Sequence, residues 1–127
     1  MNNETNLQDA ARRGEVNLYQ KLIKNGVDLN EIFEDGNAAL HDAAMYGQID
    51  ACRCLLENGA NSNIIGTDNN TPLHKAMFAA DHFKVSKILI EFGADINAIN
   101  KYQQSPLHQA AQGGKTDTVA LLLENGA

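Results

Sequence analysis

Three histidines invite the first question, because three imidazoles are enough to hold a zinc ion. His41, His74 and His108 lie 33 and then 34 residues apart. Each sits in the same setting: Leu40-His41-Asp42-Ala43, Leu73-His74-Lys75-Ala76 and Leu107-His108-Gln109-Ala110. Such regular spacing means one His per structural layer, and packed helical layers lie about 10 Å apart. Zinc–nitrogen bonds are only about 2 Å long, so the three cannot share an ion. Cys52 and Cys54 fail for a similar reason. Two residues along a helix turn the side chains about 200° from one another, so they neither bridge nor chelate together. Cys54 is expected in the core, with Cys52 partly accessible. Gly113-Gly114-Lys115-Thr116 echoes the end of a phosphate loop, but the leading Gly and the preceding strand of that pattern are missing. Glu34-Asp35, and Asp9 with Asp42, read as solvated charges whose pKa nothing raises. His82, at a turn, is expected to be exposed. No catalytic, metal or cofactor site follows, and the chain is not expected to be an enzyme.

The spacing that separates the histidines also dictates the elements that hold them. Gly26, Gly59, Gly93 and Gly126 recur 33, 34 and 33 residues apart, and counting back from His41 reaches Gln8 in Leu7-Gln8-Asp9-Ala10-Ala11. Four copies therefore fill the 127 residues, at about 4–36, 37–69, 70–103 and 104–127, with one extra residue between Ala76 and Leu89. Each copy reads as two helices and a loop. Thr71-Pro72 and Ser105-Pro106 set a capping hydroxyl before a Pro at the first helical position, where a missing N–H costs nothing. In the second copy Ala38-Ala39 replaces that pair, which should weaken the helix start by about 1 kcal/mol. The first helix is short and Ala-lined; the second carries Leu22-Ile23, Leu55-Leu56, Leu89-Ile90 or Leu122-Leu123 and stops at the recurring Gly, a left-handed C-terminal cap signal. Val27 to Asn37, Ala60 to Asn70 and Ala94 to Gln104 are each long enough for a tight hairpin, and Asp35-Gly36 is a strong turn pair. A unit of about 33 residues cannot bury both helices alone, so neighbours must stack.

Composition narrows the functional classes. The chain is 43% hydrophobic, holds no apolar run long enough to span a membrane, and starts without a signal-peptide pattern. Ten Lys plus Arg against sixteen Asp plus Glu give a net charge of −6, the wrong sign for nucleic acid or an anionic membrane. Two Cys on one short segment suit a reducing compartment, so a cytoplasmic location is expected.

The pattern resembles the ankyrin repeat family over essentially the full length. The third copy carries it best, in Thr71-Pro72-Leu73-His74, Ala76, Ile88-Leu89-Ile90, Gly93-Ala94-Asp95 and Asn97. The first copy departs from it with Asn6 for Pro and Gln8 for His, and Gln103 stands where a turn Gly belongs, which predicts a distorted tip. The resemblance implies an all-α ankyrin-repeat solenoid of four helix-turn-helix repeats with hairpin loops. It implies that each His bonds its cap hydroxyl and the neighbouring loop backbone. It also implies a protein–protein interaction module that binds through a concave face of first helices and hairpin tips. Matched by position, the partner-binding residues are Arg12, Arg13, Met45, Tyr46, Phe78 and Gln112 on the first helices, and Asp35, Asp68 and Tyr102 at the tips. Met45, Tyr46, Phe78 and Tyr102 would form an aromatic patch of the kind that anchors interfaces.

Ile32, Ile65 and Ile99 recur before each tip and are expected to pack loop against loop. Val119, Leu122 and Leu123 would face a following repeat, so the array is expected to continue past Ala127 or to meet another molecule there. The partner is another protein, with no nucleic acid or membrane, and the chain is expected to be monomeric or weakly self-associating through its C-terminal repeat. The alternative is a targeting arm of a larger protein, an enzyme or a bacterial effector whose other domain lies beyond residue 127. Asn occurs fifteen times, a composition of AT-rich genomes. By analogy with bacterial arrays of that kind, delivery into a host cell is a further expectation.

Overall fold

The structure is a computed structural model that describes residues 6–127, so residues 4 and 5 of the first repeat lie outside the described residues. Among the described residues eight α-helices follow in pairs: α1 (Leu7–Arg13) with α2 (Val16–Lys24), α3 (Ala39–Met45) with α4 (Ile49–Glu57), α5 (Pro72–Ala76) with α6 (His82–Glu91), and α7 (Pro106–Gln112) with α8 (Thr116–Glu124). The first helices stack as α1–α3–α5–α7 and the second as α2–α4–α6–α8. Between the rows runs one continuous core of small and branched residues, including Ala10, Ala43 and Ala76 from the first helices and Leu55, Leu89 and Leu122 from the second. The alanines let neighbouring backbones approach, and the leucines of the second row fill the space behind them. Burying a Leu contributes about 2 kcal/mol, and these leucines pack both within a helix pair and against the neighbouring repeats.

The caps form where hydroxyls precede Pro. Thr71 Oγ1 accepts from His74 N at 3.3 Å and Ser105 Oγ from His108 N at 3.2 Å. At α1, where Pro is replaced, Asn6 itself becomes the cap and its Oδ1 accepts from Asp9 N at 2.9 Å. Ala38 has no side chain to offer; there the His41 ring alone holds the helix start, accepting from Ala38 N at 3.0 Å. The second helices end as expected in left-handed glycines, Gly59 with φ +100° among them.

The loops form hairpin tips without a strand ladder among the described residues. Each tip is closed by two backbone bonds: Phe33 N to Asn37 O and Gly36 N to Phe33 O in the first, Asn100 N to Gln104 O and Gln103 N to Asn100 O in the third. The Gln103 tip is not distorted, contrary to expectation. Gln103 takes φ +62° in the role of Gly36 at +85°, at a cost of about 1–2 kcal/mol for the crowded left-handed conformation. The irregular tip is the second, where Asp68 and Asn69 both have positive φ, +58° and +59°.

Asparagines tie the loops together from repeat to repeat. Asn30 Oδ1 accepts from Asn61 N at 2.8 Å, Asn63 Oδ1 from Asp95 N at 2.6 Å, and Asn100 Nδ2 donates to Asn70 Oδ1 at 3.0 Å. The Ile triplet does not pack loop to loop: Ile32, Ile65 and Ile99 are 47%, 54% and 55% exposed. At the last repeat Leu122 is fully buried in the core, which corrects its outward placement; Val119 is half-buried and Leu123 exposed.

Candidate functional site

The histidines are structural ties, and their bonds show how. Thr71 N donates to His74 Nδ1 at 3.1 Å, which leaves Nε2 carrying the proton that bonds Gln104 O at 2.8 Å. His41 repeats the arrangement, with Nε2 on Asn70 O at 3.0 Å. Burial pushes both rings below their ordinary pKa of 6.5, against the opposing pull of the loop carbonyls they bond. His108 makes the same cap contacts with Ser105, but it is exposed and bonds no loop. Among the described residues no group of three or more His, Cys, Asp or Glu is placed to hold a metal ion.

Other expectations are corrected by burial. His82 is half-buried, and its Nδ1 lies 2.6 Å from the hydroxyl of the buried Thr118, which pins α6 to α8. The cysteines exchange roles: Cys52 is buried and Cys54 only half-buried. Position 52 matches buried Tyr19 and Ser86, so it faces the core, and burial pushes the Cys52 thiol up to about 12, far from a reactive thiolate. Asp42 is not a solvated charge. It is buried beside Gln8, and burial together with nearby Asp35 raises its pKa. Gln8, standing where the other repeats have His, donates through Nε2 to both Asp35 carboxylate oxygens at 2.9 Å and to Asp42 Oδ1 at 3.3 Å. Partial burial pulls Asp35 upward, but the bonds from Gln8 and Asn37 outweigh it and its pKa falls.

The residues expected to meet a partner lie along the first helices and tips, in three groups. At one end Arg12 is half-buried and held by Asp9 at 2.7 Å, while exposed Arg13 reaches Glu15 at 3.6 Å. Asp35 shares a shallow cleft there with Gln8, Glu31, Ile32 and Glu34. In the middle Tyr46 is 54% exposed, but Met45 is half-buried and contributes only its edge to the patch. At the far end Phe78 is 65% and Tyr102 60% exposed. Lys101 Nζ stands 4.0 Å from Asp68 Oδ1 and 5.9 Å from the centre of the Tyr102 ring, so Asp68, Lys101 and Tyr102 form one charged and aromatic tip cluster.

Phe78 and Gln112 line a second cleft of about 410 Å³ together with Met77, Gln104, Gln109, Gly113 and Lys115. The sequence pattern did not point to Gln109 and Lys115 as members of this site. The available signal was the extra residue of the third copy. It falls in the turn Met77–Asp81, where α5 stops after five residues while α3 and α7 each run for seven.

These features set aromatic rings, amides and paired charges on a stacked scaffold, with the buried histidines occupied by backbone groups of the loops. A family model for ankyrin repeats, three copies long, matches residues 1–65 and again residues 60–127. A search of curated proteins finds none that matches. Members of the matched family are generally protein–protein interaction modules and are typically non-catalytic. The paired helices run through the whole described chain and the two matches together span all of it: this protein belongs to the ankyrin repeat family.

Proposed function

We propose that this chain binds a partner protein, without catalysis, through the concave face built from its first helices and loop tips, and that it does so in the cytoplasm. The observation that supports this reading is the exposure of Tyr46, Phe78 and Tyr102 on that side. Three large aromatic groups facing solvent from a scaffold that buries nearly every other large apolar side chain of its first helices call for a covering surface. Aromatic anchors supply most of the energy in such interfaces. The scaffold is held by bonds between repeats, so little ordering entropy is lost on binding.

Charge separates along the same face. The first tip carries Glu31, Glu34 and Asp35 together, whereas at the third Lys101 is offset by Asp68. A partner is therefore held in one orientation, with its more basic part toward the first tip. The test is capture of partners from a cell lysate by the parent chain, beside a Tyr46→Ala, Phe78→Ala, Tyr102→Ala variant shown by circular dichroism to stay folded. A partner kept by the parent and lost by the variant supports the concave face. A partner kept by both moves the interface to the second helices.

A further inference from the structure

We propose that the notch between α5 and α7 seats an extended peptide segment of the partner, one that carries an apolar side chain beside a carboxylate. This rests on the reading of that face as the partner surface and adds what the partner must present there.

The notch exists because the repeat slips. After Ala76 the α-helix gives way to a tighter turn, with Met77 N, Phe78 N and Ala79 N donating to His74 O, Lys75 O and Ala76 O, and α5 touches α7 far less than α3 touches α1 or α5. Met77, only 3% exposed, forms the floor and Phe78 one wall. A volume of about 410 Å³ is at the small end of ligand sites, the size of one or two side chains.

Its polar chemistry is incomplete as it stands. Gln109 Oε1 is buried and accepts no hydrogen bond, an arrangement that costs about 1–3 kcal/mol. When the carboxamide turns about its last side-chain bond to bring Oε1 toward the notch, a peptide N–H from the partner can donate to it and removes that cost. Gln104 and Gln112 add two more carboxamides, each able to donate and accept along a backbone. Lys115 is half-buried for a lysine, and among the described residues no carboxylate pairs with it. Its stem lies over Gly113, where any Cβ would meet Lys115 Cε at 3.0 Å, and the side chain lines the notch. An apolar floor, a waiting acceptor and a free cation at one edge together specify the ligand. The apolar side chain sits on Phe78 and Met77, a backbone N–H reaches Gln109 Oε1, and the carboxylate meets Lys115.

The probe is a phage-displayed library of random linear peptides selected on the full chain, with affinities of the synthesised winners read by fluorescence anisotropy. Selected peptides should share Asp or Glu next to a large apolar residue. Gln109→Leu and Lys115→Met, each first shown by circular dichroism to stay folded, should weaken them about tenfold. N-methylation at one backbone position should weaken binding to the parent by a similar factor and leave binding to Gln109→Leu unchanged. No selected peptide, peptides without that pairing, or peptides that bind the variants as tightly as the parent would overturn the proposal. A lysate partner lost by the triple aromatic variant but kept by Gln109→Leu and Lys115→Met would overturn the notch alone and leave the concave face standing.

Discussion

The seam between α1 and α3 and the seam between α5 and α7 come from the same sequence pattern, yet only the first is closed. At the first seam both helices run seven residues, Ala10, Ala11, Ala43 and Ala44 are fully buried, and Gln8 bonds Asp35 in its own loop and Asp42 in the next repeat. At the second seam the copy with one inserted residue ends α5 in a tighter turn, and a cleft opens between that turn and α7. Stacked repeats contact only their neighbours, so a slip in one copy is not transmitted to the rest. Periodic positions are committed to holding the array together, and a break in the period leaves surface free to bind.

The widest separation should come from the histidine ties. His74→Ala removes the bond to Gln104 O and leaves the buried Thr71 N–H and that carbonyl poorly satisfied, a loss of about 3 kcal/mol. His108→Ala, at an exposed site with no loop beyond it, should cost less than about 0.5 kcal/mol. Urea midpoints measure both, and equal losses would break the distinction between closed and open junctions.

Acid acts on the closed junctions through the same rings. The folded pKa of His41 and His74 lies below the unfolded 6.5, so the unfolded chain binds more protons and stability drops as pH falls from 6.5 toward the folded values. The thermal midpoint should therefore fall between neutral pH and pH about 5, with the fall reduced in a His41→Gln variant.

Asp42 sharpens the comparison from the opposite sign. Its folded pKa is raised, so stability declines as pH rises through the carboxylate range, and the full penalty is present at neutral pH. Asn at this position can still accept from Gln8, so Asp42→Asn should gain about 1 kcal/mol at neutral pH. A loss in a thermal melt would show that the charge itself holds the first seam. The smallest effect belongs to Lys101→Ala: the exposed pair with Asp68 is long and solvated, and its removal should change stability by less than about 0.5 kcal/mol.

The architecture was legible because it is written in periods. Thr71-Pro72 and Ser105-Pro106 mark helix starts by local chemistry, Gly59 marks a helix end by the one conformation it favours, and the 33-residue recurrence requires stacking. The candidate surface was legible only in part. Tyr46, Phe78 and Tyr102 are exposed as alignment to the repeat predicts, but the exposed Ile row and the notch residues Gln109 and Lys115 were not foreseen.

Those misses share one physical cause. Helix starts, helix ends and repeat length depend on interactions within a few residues, or on a pattern that every copy repeats, and the sequence by itself determined them. Which of two cysteines faces the core, whether Asp42 is solvated, whether His82 meets Thr118 and where a slip opens a cleft depend on atoms brought together from different repeats. A rotation of one side chain about a helix axis, or one residue more in a turn, reverses each of those outcomes while leaving the linear pattern almost unchanged, so only the tertiary structure decided them.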